Sequence, residues 1–245
     1  MKNLLQFEFR KLTRKKSFYI CTTVSFALLF LMTLLTEIIF SITQETYQAF
    51  DILLDGVNSG SFTLLAGIFA ILFMCEDYSR QTVKNIYAKG YSHTSVYFAK
   101  LIATLVAASA MYLALELFAF ALGALAYGVG EVESAKYFAV LAVQYVAAMA
   151  EVLFAFFIAS VLCKNGSSIA TYVLSPIAAS LVLSLLELLS KLKKINLNNY
   201  WVTGFLGDLS LSVSTERLLE CLFGSLIYIA VFVFVGMFFN KRIKL

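Results

Sequence analysis

The stretch EDYSRQTVKNIYAKGYSHTSVYFAK, residues 76–100, separates two strongly apolar runs, AGIFAILFMC at 66–75 and LIATLVAASAMYLAL at 101–115. A polar interlude between apolar runs is ordinarily a solvated loop, yet this one has helical periodicity. Val83, Ile86 and Tyr87 share a face at i, i+3, i+4 spacing, while Arg80, Lys84 and Lys89 lie elsewhere around the axis. Gly90 offers a helix stop, and Ser92 an N-cap for the element that follows. The stretch reads as a short amphipathic helix over residues 79–89, held at a membrane surface between two hairpinned spans.

Working outward, the flanks set the fold class. The chain of 245 residues is 61% hydrophobic and only 14% charged, against roughly 25% charged in soluble domains. Apolar runs of about 20 residues recur, each long enough to cross about 30 Å of hydrocarbon. They are continuous rather than alternating, which excludes a closed barrel. The expectation is an all-α polytopic membrane protein, one transmembrane domain over residues 1–245, with six spans near 18–40, 57–75, 96–122, 137–162, 169–189 and 218–239. The first apolar run follows a long basic segment and lacks a small-residue cleavage pattern, so no signal peptide is expected.

Residues 1–17 place Leu5, Phe9 and Leu12 on one face and add Arg10, Lys11, Arg14, Lys15 and Lys16, the pattern of a helix lying on anionic membrane lipid. Pro176, the single proline, falls inside the fifth span and is expected to kink it. Residues 190–216 are too polar to span, yet Tyr200, Trp201 and Phe205 suit an interfacial aromatic belt, so short re-entrant or interfacial helices are expected there. Lys and Arg set the orientation. The N-terminal cluster, Arg80, Lys84, Lys89, Lys100, Lys164, Lys241, Arg242 and Lys244 fall on one side; Lys136, Lys191, Lys193, Lys194 and Arg217 fall on the other. The more basic side is cytoplasmic, with both termini, in the cell's inner membrane.

Several chemistries are excluded. The sole histidine, His93, rules out a two-histidine zinc protease, and no glycine precedes a lysine, so the chain has no phosphate-cradling GxxxxGK[ST] loop. Cys21, Cys75, Cys163 and Cys221 are scattered singly and read as small apolar residues, with no metal site expected. The net charge of +4 is no sign of nucleic-acid binding in so apolar a chain. Two acids stand out. Glu116 and Glu151 lie deep in apolar spans, where an unpaired carboxylate costs several kcal/mol; each is either a substrate-path residue or structural glue. Glu37, Glu187 and Glu220 lie nearer the outer ends and are expected to face water, giving the outer mouth a negative field. A channel or secondary transporter using Glu116 and Glu151 as ion or proton sites is the alternative from another class. Such a protein would be expected to show repeat symmetry, and no internal repeat is visible.

The order of a basic amphipathic N-terminus, a hairpin with the 76–100 turn, four further spans and a basic tail resembles the type-2 class of ABC exporter permeases. The motif residues are Glu76, Thr82-Val83-Lys84-Asn85, Lys89-Gly90, Ser92 to Ser95, and Tyr97 with Lys100. The resemblance implies a coupling helix over 79–89, in which Arg80, Thr82, Val83, Lys84, Asn85, Ile86 and Tyr87 dock on a separate ATP-binding subunit, and a connecting helix over 1–17. It implies two copies of this chain with two ATPase subunits, ATP and Mg being bound by that partner rather than here. It implies export of an amphipathic or lipophilic substrate such as a peptide toxin, an antimicrobial peptide of the lantibiotic kind, or a drug.

Overall fold

The computed structural model describes residues 2–43, 49–58, 60–80, 82–128, 135–190, 197–210 and 213–240. Among them the chain is helical without strands: α1 (Lys2–Arg14), α2 (Lys16–Thr43), α3 (Ala49–Asn58), α4 (Ser61–Ser79), α5 (Val83–Ala88), α6 (His93–Tyr127), α7 (Ala135–Leu162), α8 (Asn165–Ser190), a 3-10 turn (Leu197–Tyr200), α9 (Gly204–Gly207) and α10 (Thr215–Asn240). Six helices, α2, α4, α6, α7, α8 and α10, are long and apolar enough to cross a membrane. The protein is an all-α multi-pass membrane protein, as its hydropathy implies.

The bundle is built around α7, which packs most extensively on α10 and α4. Its apolar stretch is 72% buried inside the protein, against 6% for α8. The reason lies in its small residues. Ala147, Ala148, Ala150, Ala155 and Ala159 are fully buried, and small side chains let helix backbones approach where lipid gives no hydrophobic drive to associate. By contrast α8 turns Leu174, Ile177, Leu181 and Leu185 outward. It runs through Pro176 as one helix. The joint from α7 to α8 is only Cys163 and Lys164; Cys163 sits at φ 53, a left-handed turn in which its N–H donates to the Ala159 carbonyl at 2.9 Å.

Helix α6 has 35 residues, which at about 1.5 Å each outreaches a hydrocarbon layer of about 30 Å. Its far end is covered by α3, an element that hydropathy did not reveal. The ten residues of α3 are too few to span and include Asp51 and Asp55, but Ala49, Ile52, Leu53 and Leu54 are buried and α3 packs on α6 and α4. Gly123 permits the approach: a Cβ there would stand 2.6 Å from the Ala49 Cα.

Candidate functional site

Helix α5 begins after Thr82 and ends against Gly90, whose φ of 84° suits glycine and whose N–H donates to the Tyr87 carbonyl at 2.8 Å. Ser92 then caps α6, accepting the Ser95 N–H at 3.2 Å. The helix is shorter than the 79–89 segment expected from the sequence. Ser79 still belongs to α4, whose hydrogen-bonding continues through the Arg80 N–H to the Glu76 carbonyl at 3.0 Å, and Gln81 lies outside the described residues.

The stripe of Val83, Ile86 and Tyr87 faces its own chain. Val83 is buried. Ile86 and Tyr87 pack on Leu4 of α1 and on Val96 and Ala99 of α6, and the Tyr87 ring stacks on His93 with centroids 4.1 Å apart. The surface left outward carries Arg80, Thr82, Lys84, Asn85 and Lys89, all exposed. Of the seven residues expected to dock, the apolar ones anchor the helix and the polar ones present it.

Beneath α5 lies a charged knot. Lys100 of α6 is fully buried, as is Glu8 of α1, and Asp77 of α4 is 5% exposed. The Lys100 ammonium donates to Asp77 Oδ2 and forms a longer ion pair, 3.5 Å, with Glu8 Oε1. Lys11 of α1 donates to Asp77 Oδ1 at 2.6 Å and lies 3.2 Å from Glu76. Lys15 lies 3.1 Å from Glu76 and donates to the Leu72 carbonyl at 2.8 Å. Thr82 donates to Asp77 Oδ1 at 3.0 Å, which ties the start of α5 into the same knot. The three ammonium groups also lie 5.0–5.6 Å from the centre of the Phe73 ring, within cation–π reach. Three cations thus meet three acids at the junction of α1, α4, α5 and α6.

Sequence reasoning singled out Glu76 and Lys100 but not Glu8, Asp77 or the inward turn of Lys11 and Lys15. A signal was present for Glu8. The buried face of α1 is Leu4, Glu8 and Leu12, so Leu5 and Phe9, expected in the apolar stripe, are only half-buried. A lone acid at i+4 between two leucines of a basic helix marks a buried ion pair. The helix packs on α6, leaving Lys2, Arg10, Arg14 and Lys16 exposed.

Burial pushes the Glu8 carboxyl above the ordinary glutamate value, and Lys100 opposes this only in part. Burial also lowers Lys11, but Asp77, Glu8 and Glu76 together outweigh it and its ammonium titrates above the usual lysine value. For Lys15 burial prevails over Glu76 and brings it down from 10.5 to about 8. Between those two values the unfolded chain holds a proton that the folded chain has released. Stability from Lys15 therefore rises as pH climbs through that window. The thermal midpoint of the wild type relative to Lys15→Met should accordingly rise from pH 8 to pH 10.5; a flat difference in a detergent melting series would refute this assignment.

At the same end, the last helical residue, Asn240, is buried. It accepts the Tyr78 hydroxyl at 2.7 Å and donates to the His93 carbonyl at 3.5 Å, joining α10 to α4 and α6. A groove of about 280 Å³ beside the knot is lined by Phe7, Lys11, Arg80, Thr82, Ile86 and Lys89, among others.

The two intramembrane acids occupy separate cavities. One, of about 510 Å³, lies between α3, α6 and α7 and includes Leu53, Ser109, Leu113, Glu116, Phe120 and Tyr145 in its wall, a size suited to a small lipophilic ligand. The Ser109 and Tyr145 hydroxyls hydrogen-bond at 2.7 Å. Both Glu116 oxygens are covered and have no hydrogen bond of standard geometry; their polar neighbour is Tyr112, one turn earlier. The wall is therefore apolar, with Leu113 and Leu117 exposed at its rim. The other cavity, of about 240 Å³, holds Glu151, Thr63, Tyr172, Pro176 and Thr203. The Tyr172 hydroxyl donates to the Thr63 carbonyl at 2.9 Å, and the Thr63 side chain interacts with Glu151. The cavities share no lining residue, so the structure does not bring Glu116 and Glu151 together.

At the opposite end, residues 197–210 fold inward as a cap. Trp201 packs edge-on between Phe154 and Tyr228, with centroids 5.8 and 6.2 Å away, and Phe205 is buried against Gly224. Only Tyr200 of the expected belt is exposed, and its ring sits 4.6 Å from the Arg217 guanidinium. Arg217 of α10 fastens the cap through Asp208 at 2.6 Å and the Asn199 carbonyl at 2.7 Å, and is itself held by Glu220 one turn on at 2.8 Å. Glu187 accepts the Leu197 N–H. Glu187 is half-buried against the cap, while Glu220 faces water as expected and also accepts the Tyr200 hydroxyl at 3.4 Å. The Glu37 side chain, Lys191, Lys193, Lys194, Lys241, Arg242 and Lys244 lie outside the described residues.

Residues 4–187 match the family described as ABC-2 family transporter protein. No curated protein matches the chain.

Proposed function

The chain belongs to the ABC-2 transporter family, and from that premise we propose that it is the membrane subunit of an ATP-driven exporter whose nucleotide chemistry resides on a separate subunit docked against α5. The observation that carries this reading is the mounting of α5. Its apolar face is anchored on α1 and α6, and Arg80, Lys84, Asn85 and Lys89 are left exposed, a basic surface seeking an acidic groove. In this reading the α5 end is cytoplasmic, in the cell's inner membrane. Two copies of the chain enclose the path and two ATPase subunits bind ATP and Mg. Substrate leaves toward the capped end. The apolar wall around Leu53, Leu113 and Phe120 suits a lipophilic drug or the apolar face of an amphipathic peptide. Glu116, its oxygens covered, contributes to that wall mainly through its carbon chain.

The test is charge reversal, Lys84→Glu with Lys89→Glu. Juxtaposed like charges cost several kcal/mol at an interface, so recovery of the ATPase with this chain on affinity purification should fall on the order of tenfold or more. Export of a lipophilic dye from membrane vesicles should fall with it. Wild-type recovery and wild-type export together would dismiss the docking role of α5.

A further inference from the structure

We infer that Lys100 is a two-position joint, shifting between Asp77 and Glu8 as α5 is displaced, and so passes that displacement to α1 and α6. This rests on the reading that α5 receives the motion of an ATPase. Three features of the knot lead to it. First, Asp77 is where α5 is tied in, because Thr82 donates to the same carboxylate that holds Lys100 and Lys11. Second, Lys100 has two carboxylates in reach on two different helices, bonded to the one on α4 and 3.5 Å from the one on α1. Third, Glu8 is fully buried, and its ion pair with Lys100, at 3.5 Å, is longer than the contact Lys100 makes with Asp77.

A buried carboxylate held by a long ion pair gains from a closer donor. Here the nearest donor is an ammonium on a flexible four-carbon stem. Drawing Asp77 away with α5 would loosen its hold on Lys100, and a shift toward Glu8 would close the ion pair into a hydrogen bond. With Lys100 on Asp77, Glu8 keeps the longer ion pair; with Lys100 on Glu8, Asp77 still has Lys11 and the Thr82 hydroxyl, so neither arrangement strands a charge, which is what a bistable element needs. Apolar contacts in the same place would let α5 slide over α1 and α6. A charged joint has preferred distances and carries the movement across.

The experiment uses the complex with its ATPase in nanodiscs, with spin labels at Asn3 on α1 and Ser167 on α8, both exposed. The distance is read without nucleotide and after trapping with ATP and vanadate. Wild type should show a shifted distance on trapping. Glu8→Gln keeps the size of the side chain and removes the competing charge. It should retain ATPase recovery and ATP hydrolysis, keep the nucleotide-free distance on trapping, and lower dye export per ATP hydrolysed at least tenfold. The pair Glu8→Leu with Lys100→Met guards against misfolding, since apolar replacement of a buried ion pair commonly preserves the fold and Asp77 keeps Lys11 and Thr82; it should be uncoupled in the same way. If either folded variant shifts and pumps like wild type, the joint is refuted. A wild-type complex that hydrolyses ATP with no shift would also refute it and leave docking intact, whereas failure of any ATPase to co-purify with wild type would remove both readings.

Discussion

Replacing Lys100 alone by methionine is expected to cost about 3–5 kcal/mol, the range for removing one member of a buried ion pair. Lys100 is fully buried, so no water stands ready to solvate what it leaves behind. Asp77 would keep Lys11 at 2.6 Å and the Thr82 hydroxyl at 3.0 Å. Glu8 would lose the ammonium nearest to it and, already pushed toward its neutral form by burial, would have to take up a proton. The two losses differ, and that places the expected cost toward the lower part of the range. Restoring balance by the added change Glu8→Leu should recover most of it, because the buried carboxylate that lost its ammonium is then removed with it, while Asp77 keeps Lys11 and Thr82. The measurement is the thermal midpoint by size-exclusion melting in detergent. A single variant that melts with the wild type, or a double variant that melts below the single one, would show that the knot is not an energetically coupled pair.

The fold was legible because its governing term is coarse. Apolar runs of sufficient length and the basic bias of one side need only composition, and hydrogen bonding in lipid allows continuous apolar runs no spanning structure but the helix. The turn at Gly90 and the cap at Ser92 were legible because each rests on one residue's chemistry. What was not legible was which way a short helix faces. Val83, Ile86 and Tyr87 form a stripe that would suit either a partner's groove or the chain's own α1, and periodicity is the same for both. The α1 stripe carried the same ambiguity, settled by Glu8, whose meaning depends on Lys100 lying 92 positions away in the sequence. Helix α3 was hidden for a different reason. Its burial comes from a neighbour's missing side chain at Gly123, which no local pattern in residues 49–58 records. Glu116 and Glu151 were correctly read as deep in apolar helices, but their separation into two cavities depends on helix packing that hydropathy does not contain.

That dependence of α3 on one glycine gives the second large effect. Gly123→Val would set a Cβ 2.6 Å from the Ala49 Cα and 3.0 Å from the Ala49 carbonyl oxygen. These are backbone atoms, so no rotamer change relieves the clash and α3 must lift from α6. Overpacking of this kind typically costs about 1–3 kcal/mol. The displacement would also break the hydrogen bond from Gln144 of α7 to the Leu54 carbonyl, now 2.9 Å, and withdraw Leu53 from the cavity that also contains Glu116. A substitution at the capped end is therefore expected to open the cavity while leaving the α5 end, and hence ATPase recovery, as in wild type. A cysteine placed at Leu53 should react with a small maleimide severalfold faster in the Gly123→Val background, because the side chain is buried at 9% exposure in the native packing. Gly166→Ala is the control, since a Cβ there meets nothing within 4 Å. If the Leu53 cysteine stays protected in the valine variant, close contact at Gly123 does not hold α3, and Leu53 cannot be treated as a movable wall of the cavity. If it is released and dye export falls while ATP hydrolysis persists, the cavity belongs to the substrate path and the two ends of the bundle perform separable tasks.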